Sequence, residues 1–233
     1  MKYDYEKREM TTCEVARLLQ VSERQTEALF ADRRIPARQL RSGAWLTDAR
    51  VVQRYIATAQ RGRGRTLSTP TAWGLLWELS GRRPSWLGAS TLSRVRQQIA
   101  SSSPEEIVRA TSGRTRARYF LDPIGADRKA SWSGLIRTGR PAARHLGIRS
   151  FNYACGYVRD GTTEDYATRH AFWEDYDGWH VLFDNTLPVT HNRAVMPDAV
   201  IAVDLAVTGG APERQRAMEG IAHLQGVWAE ARR

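Results

Sequence analysis

Two short helices separated by three residues are the feature that most constrains the fold of this chain. In the stretch TTCEVARLLQVSERQTEALF, residues 11–30, Thr11 and Glu14 have the spacing of a capping box, and Ser22 and Gln25 repeat it. A face at helical spacing follows each cap, formed by Val15, Ala16, Leu18 and Leu19 and then by Thr26, Leu29 and Phe30. The short break at Gln20-Val21 leaves room only for a tight turn. The stretch therefore predicts a helix-turn-helix.

The following residues predict a hairpin and a third helix. Ile35-Pro36 ends the second helix, because the residue before a proline disfavours helical backbone. Ser42-Gly43 is a suitable hairpin turn between Gln39-Leu40 and Trp45-Leu46. Thr47-Asp48 then begins a third helix, which is expected to bury Val51, Val52, Tyr55 and Ile56.

This order of elements resembles the excisionase/MerR-like winged helix-turn-helix family over roughly the first 58 residues. The matching residues are Thr12, Glu14, Val15, Ala16, Leu19, Val21, Ser22, Leu29, Ile35, Pro36, Ala37, Arg38, Gly43, Trp45, Asp48, Tyr55 and Ile56. The resemblance implies a recognition helix at 22–31 in the DNA major groove and a wing at 37–46 on the backbone or minor groove.

Two sets of side chains are expected to contact DNA. The base readers are Glu23, Arg24, Gln25 and Glu27, and the phosphate contacts are Arg33, Arg34, Arg38 and Arg41. The chain departs from the family at positions 27 and 28, where a basic or aromatic residue is usual, and the tip Ser42-Gly43-Ala44 lacks the usual arginine. Glu27 either accepts from a cytosine amine or repels phosphate. The alternative is a helix-turn-helix that only contacts protein, with these charges solvated.

The charge of the chain is uneven. The net charge of +10 divides into +6 for residues 1–65, +9 for residues 66–149 and −5 for residues 150–233. Residues 60–65, QRGRGR, lie in a Gly/Arg linker over 59–66 that cannot pack a core. Its Arg61, Arg63 and Arg65 are either a basic arm on DNA or part of a plain solvated linker. Arginine is preferred over lysine throughout, which suits phosphate binding and is equally typical of a GC-rich genome.

The remainder predicts an α+β, mainly α protein, with a helical region at 67–121 and an acidic α/β region at 122–233. In the helical region, Thr69 is expected to cap a helix with Pro70 at its first position, and Ser103 and Glu106 have the spacing of a capping box that begins another. Residues 133–149 are expected to form a short helix flanked by glycines. Alternation over residues 113–122 predicts a strand with Arg114, Arg116 and Arg118 on one basic face. That face suits nucleic acid, an acidic partner or simply solvent. A strand is also expected at 151–158 and another at 178–184, and two helices around Gly209-Gly210.

Nearly the whole chain is similar in its order of segments to actinobacterial helix-turn-helix antitoxins of type IV, abortive-infection toxin–antitoxin systems. The segments are GRTLSTPTAWGLLWELSG, RTRARYF, LIRTGRPAARHLGI, NYACGYVRD, GWHVLF and AVIAVDLAVTGGAPERQRAMEGIAHL. The resemblance implies an antitoxin that represses its own operon and has a nucleotidyltransferase-type toxin as its partner. A possible homodimer is expected on double-stranded DNA, because one small module buries too little surface for specific binding.

Other function classes are not favoured. The chain has no nucleophile elbow, Walker loop or zinc-spaced Cys/His set, so we expect no enzyme activity, no metal and no cofactor. Asp198 with Asp204 is a weak nuclease pattern, and Glu174, Asp175 and Asp177 are more typical of a solvated loop than of a cation site. The alternatives are an excisionase-like recombination accessory factor and, less favoured, a metal-dependent nuclease. No apolar run approaches ~20 residues, so a cytoplasmic protein without a membrane contact is expected, with Cys13 and Cys155 as reduced thiols.

Overall fold

The structure is a computed structural model that describes residues 9–32, 35–49, 51–52, 55–56, 67–122, 132–149, 153–175 and 178–232. The chain divides into two compact units, unit 1 at Met1–Gln60 and unit 2 at Arg61–Arg233. Helices and two β-sheets are both present, so the fold class is α+β, as the sequence predicts.

Unit 1 combines two helices with a small sheet. Its elements are β1 (Glu9–Thr11), α1 (Thr12–Leu19), α2 (Glu23–Ala31), β2 (Arg38–Gln39) and β3 (Trp45–Asp48). The three strands are antiparallel in the order β1-β3-β2, with Met10 opposite Thr47 and Gln39 opposite Trp45. The backbone is also helical at residues 49, 51–52 and 55–56, where the third helix was predicted.

Both predicted capping boxes are confirmed. The side chain of Thr11 accepts from the Glu14 N–H while the Glu14 carboxylate accepts from the Thr11 N–H, and Ser22 and Gln25 have the same reciprocal arrangement. Gln20 ends α1 in the left-handed region with φ of 57°, which turns the chain sharply into α2. Each helix is thus begun by contacts three residues apart.

The core of unit 1 lies between the helices and the sheet. Its most deeply buried apolar residues are Val15, Ala16, Phe30, Ile35, Val51 and Val52. The ring centroid of Phe30 on α2 is 5.8 Å from that of Trp45 on β3. Thr26 is fully buried, whereas Leu29, which was expected to be buried, is only half-buried.

Unit 2 begins with three helices and continues as a mixed α/β region. The helices are α3 (Thr69–Leu79), α4 (Ala89–Ser101), α5 (Pro104–Thr111), α6 (Gly139–Ala142), α7 (Thr163–Arg169), α8 (Asp198–Thr208) and α9 (Ala211–Glu230). The strands are β4 (Ala117–Leu121), β5 (Leu135–Arg137), β6 (Cys155–Val158), β7 (Trp173–Glu174) and β8 (His180–Phe183). Short 3₁₀ turns occupy Ser112–Arg114 and Ala143–Leu146.

One five-stranded sheet organises unit 2. Its order is β5-β6-β8-β4-β7, with β6 and β8 parallel and the other neighbours antiparallel. Tyr119, Tyr157 and Phe183 face the larger core, which contains the apolar faces of α3 and α8. Phe120 and Leu182 face a smaller core on the opposite side, together with Tyr166 of α7. Because β4 pairs with β8, the regions 67–121 and 122–233 share one sheet and fold together.

Two local predictions for unit 2 need correction. Ser68, rather than Thr69, is the N-cap of α3, and Pro70 is in its first turn. Residues 135–137, expected in a helix, form strand β5 because they pair antiparallel with β6, and only the following residues are helical. The capping box of Ser103 and Glu106 and the break at Gly209-Gly210 are confirmed.

Candidate nucleic-acid interface

The outer side of α2 carries the four predicted base readers. Glu23, Arg24, Gln25 and Glu27 are all exposed, while Thr26 and Phe30 on the same helix are buried. The sequence folds this way because the buried residues are four positions apart and therefore lie on one helix face. Among the described residues, no hydrogen-bond or ion-pair partner occurs for the side chains of Glu23, Arg24 and Glu27.

Gln25 is differently placed from the other three. Its side-chain carbonyl oxygen accepts from the Ser22 N–H at 3.0 Å and from the Ser22 hydroxyl at 3.1 Å. An amide that reads adenine uses its oxygen and its nitrogen together. A bidentate base contact from Gln25 would therefore compete with the cap of α2, and its role as a base reader stays a prediction.

The hairpin between β2 and β3 has a tight, exposed tip. The Leu40 N–H donates to the Ala44 carbonyl at 2.7 Å, and the Gly43 N–H donates to the Leu40 carbonyl at 2.9 Å. Gly43 has φ of 86°, a conformation that favours glycine, as the Ser42-Gly43 turn predicts. Arg41 is exposed on this hairpin and has no ion pair within the described part of the chain.

Arg38, a predicted phosphate contact, is engaged by a carboxylate. Its Nε and Nη2 atoms donate to Oε1 of Glu9 at 3.2 and 2.9 Å, and Nη2 also lies 3.0 Å from Oε2. Both side chains are more than half exposed, at 59% and 52%. The two residues are 29 positions apart and meet through the sheet, so nothing local in the sequence predicts this pair. A phosphate contact from Nε or Nη2 of Arg38 would compete with Glu9.

Five of the predicted DNA contacts lie outside the described residues. They are Arg33, Arg34, Arg61, Arg63 and Arg65. Their assignment to phosphate contacts stays a prediction.

The predicted basic face on residues 113–122 is wrong. Arg114 is in a 3₁₀ turn, not in the strand, and is 2% exposed. Arg118 donates to carboxylate oxygens of Glu164 and Glu174, with Nη2 2.7 Å from Oε2 of Glu174. Of the three, Arg116 alone is exposed. Alternation fails here because the strand begins only at Ala117.

Arg114 and Asp204 belong to a buried polar network and are therefore not available at the surface. Arg114 forms an ion pair with Asp204, which also accepts from the Thr138 hydroxyl at 2.6 Å and the Tyr157 hydroxyl at 3.0 Å. Burial raises the pKa of Tyr157, so its hydroxyl stays protonated and donates. The guanidinium also lies 5.0 Å from the ring centre of Trp73. Sequence analysis missed this network because its members are far apart in the chain.

The two aspartates of the nuclease alternative do not form a site. Asp204 is 2% exposed and fully engaged, whereas Asp198 is exposed, with its carboxylate 3.9 Å from Nε2 of His145. In the described ranges, no group of three or more His, Cys, Asp or Glu side chains is arranged to hold a metal ion. Glu174 pairs with Arg118, and Asp177 lies outside the described residues. Both cysteines are free thiols, with Cys13 exposed and Cys155 buried.

Comparison with known proteins gives no relative for this chain: no protein family, no curated protein and no solved structure matches it. No helix in the described ranges has the length and apolar character needed to span a membrane.

Proposed function

We propose that this protein is a sequence-specific DNA-binding regulator whose unit 1 is a winged helix-turn-helix. The observation that carries the proposal is the outer face of α2, where Glu23, Arg24 and Glu27 are exposed and have no hydrogen-bond or ion-pair partner among the described residues, while Thr26 and Phe30 are buried. In this class of module such a face enters the major groove, and an arginine there donates to guanine O6 and N7.

The hairpin supplies the second contact of the proposed module. Its tip is exposed, carries Arg41 and follows α2 in the chain, which is the order of a recognition helix and a wing. A phosphate contact there would fix the position of α2 on the duplex without reading sequence. Phe30 and Trp45 pack together, so the recognition helix and the wing share one core.

We further propose that the regulator is an antitoxin that represses its own operon and neutralises a nucleotidyltransferase-type toxin through unit 2. Its support is the resemblance in the order of segments and the size of unit 2, Arg61–Arg233, which has a core of its own. An excisionase-like accessory factor would need only the DNA module. Co-expression of the full chain with a nucleotidyltransferase-type toxin tests this point, because rescue of growth is expected from an antitoxin and not from an excisionase-like factor.

The test of DNA binding is fluorescence anisotropy of the full chain on its own upstream DNA and on a scrambled duplex, over a series of salt concentrations. Binding to the native duplex is expected to be at least ~10³-fold tighter than to the scramble. Arg24→Ala should reduce that ratio by about 10-fold or more, because a bidentate base contact provides roughly 1–3 kcal/mol of discrimination.

The matched control is Arg17→Ala, which removes the same charge from an exposed position on α1. It should leave the ratio unchanged. Equal loss of the ratio in both variants, or equal binding to both duplexes by the unaltered chain, would contradict sequence reading by α2.

A further inference from the structure

A second group of arginines lies in unit 2, around His191. This side chain is buried, at 7% exposed, and its Nε2 lies 3.0 Å from the Val195 carbonyl oxygen. Burial lowers the pKa of His191, the Val195 contact raises it, and the positive charges of Arg82, Arg159 and Arg193 lower it further. Arg159 donates to the backbone carbonyls of His191 and Arg193, and Arg82 lies over the ring of Trp77, which contacts the His191 ring. The three arginines therefore meet around His191, although they come from three separate segments.

The guanidiniums of Arg82 and Arg159 are held by uncharged groups. Arg82 lies 5.9 Å from the ring centre of Trp77, and the ring of Trp77 in turn contacts that of His191 at 5.5 Å. Arg159 donates to the carbonyl oxygens of His191 at 3.1 Å and Arg193 at 2.6 Å. Arg193 is exposed.

The positive charge of this group is not neutralised within the described part of the chain. The ion pairs of unit 2 engage Arg96, Arg109, Arg114, Arg118, Arg140, Arg216 and Arg232, and none involves Arg82, Arg159 or Arg193. Like charges brought together without a carboxylate repel one another, which costs stability. Such a group is stabilised when an anion binds, and arginine suits phosphate because its planar fork donates to two oxygens.

We propose that Arg82, Arg159 and Arg193 form an anion site on unit 2 that binds the phosphodiester backbone of nucleic acid. The proposal deepens the DNA-binding function and rests on it. Arg82 and Arg159 are half-exposed and Arg193 is exposed, so they offer an open surface to a long polyanion rather than an enclosure for a small one. When the arginines neutralise phosphates of a nucleic acid, its condensed counterions are released, which favours binding. A small isolated phosphate provides no such gain. The site adds affinity without reading sequence.

The test measures binding of the full chain to the scrambled duplex across salt concentrations, with Arg82→Gln/Arg193→Gln as the main variant. This pair leaves the carbonyl contacts of Arg159 in place, so folding is retained, which circular dichroism checks. Each lost phosphate contact flattens the slope of log affinity against log salt by about 0.9, so a reduction of about 2 is expected. Adding Arg159→Gln should flatten it further.

The matched control is Arg94→Gln/Arg116→Gln, which removes the same charge from exposed positions of unit 2. Its slope should stay within about 0.5 of the unaltered chain, since long-range charge alone is screened over ~8 Å at physiological salt. Equal slopes for the two double variants would overturn the proposal.

Two further probes separate the possible ligands. If the main variant binds the scrambled duplex normally but no longer binds polyglutamate, the site takes an acidic polypeptide and the proposal is wrong. If inorganic phosphate at low millimolar concentration binds the unaltered chain but not the main variant, while both bind the scrambled duplex with equal salt slopes, the site takes small phosphates and the proposal is wrong. Failure of sequence reading by α2 would appear in the native-to-scramble ratio, which this site does not change, so the two failures are distinguishable.

Discussion

The two units of this chain place their arginines in opposite ways. In unit 1 the described arginines, Arg17, Arg24, Arg38 and Arg41, are all exposed, whereas unit 2 buries Arg114 in an ion pair with Asp204. The helices of unit 1 are begun by contacts three residues apart, while Arg114 and Asp204 are 90 positions apart. The helix starts of unit 1 depend on local contacts, and the buried ion pair of unit 2 depends on a contact between distant segments. Substitutions in the two units should therefore differ in the unfolding free energy that they cost and in how far from the substituted residue their effect extends.

The largest effect is expected from Asp204→Ala. The variant leaves the Arg114 guanidinium buried without its carboxylate, which costs about 3–5 kcal/mol of unfolding free energy. Urea unfolding followed by tryptophan fluorescence measures it, because seven of the eight tryptophans lie in unit 2. Asp198→Ala, at the exposed first residue of the same helix, is the control and should change stability by less than about 1 kcal/mol. A loss below about 1 kcal/mol for Asp204→Ala would contradict the role of the pair.

The double variant Arg114→Met/Asp204→Leu tests whether the loss in Asp204→Ala comes from the buried, unpaired charge of Arg114. Removing both charges also removes the desolvation cost, so much of the stability lost in Asp204→Ala should return. The hydroxyls of Thr138 and Tyr157 would lose their acceptor, which limits the recovery. A double variant less stable than Asp204→Ala would show that the network stabilises through its hydrogen bonds rather than by charge pairing.

The same contrast explains what the sequence predicts and what it does not. The caps at Thr11, Ser22 and Ser103 and the turn at Gly43 are confirmed, because a few adjacent residues determine each of them. The basic face on residues 113–122 is wrong, because the partner of Arg114 comes from a helix 90 residues away. Strand β5 is missed for the same reason, since its pairing with β6 outweighs a helical pattern.

The candidate site shows this limit too. The exposure of Glu23, Arg24 and Glu27 follows from the helical spacing of Thr26 and Phe30. The ion pair of Arg38 with Glu9 depends on how β1 pairs with β3 in the sheet. The grouping of Arg82, Arg159 and Arg193 depends on contacts between three separate segments. Neither has a pattern in the sequence.

A smaller effect is expected from Gly178→Ala, which tests a second distant contact of unit 2. A Cβ atom at Gly178 would lie 2.4 Å from the backbone nitrogen of Phe120 on β4, so backbone must shift. The expected loss is about 1–3 kcal/mol, measured by the same urea unfolding. Gly226→Ala is the control, since its Cβ meets nothing within 4 Å and it lies in helix α9. That control should gain roughly 0.5–1 kcal/mol, and a similar gain at Gly178 would contradict the close packing.

Ser22→Ala tests the local contacts of unit 1 and should cost about 1 kcal/mol. It removes the side-chain acceptor of the Gln25 N–H, which lies 3.2 Å from the Ser22 hydroxyl oxygen. Hydrogen exchange of the α2 amides measures the loss and should speed up in unit 1, while exchange in unit 2 is unchanged. Ser42→Ala at the exposed hairpin tip is the control and should leave the α2 amides unaffected. Faster exchange throughout unit 2 would contradict the separation of local from distant contacts.

The smallest stability effect, and the one most relevant to DNA binding, is expected from Glu9→Ala. Its ion pair with Arg38 is exposed on both sides, so the loss should be below about 1 kcal/mol. The same substitution releases the guanidinium from a competing carboxylate, so the salt slope on the scrambled duplex should steepen by about 0.9 if Arg38 then contacts a phosphate. Glu105→Ala, which removes the same charge from an exposed position in unit 2, is the control and should leave the slope unchanged. If Glu9→Ala barely changes the free energy of unfolding but strengthens DNA binding, Glu9 restrains Arg38 in the unaltered chain. An unchanged salt slope would show that Arg38 does not contact DNA.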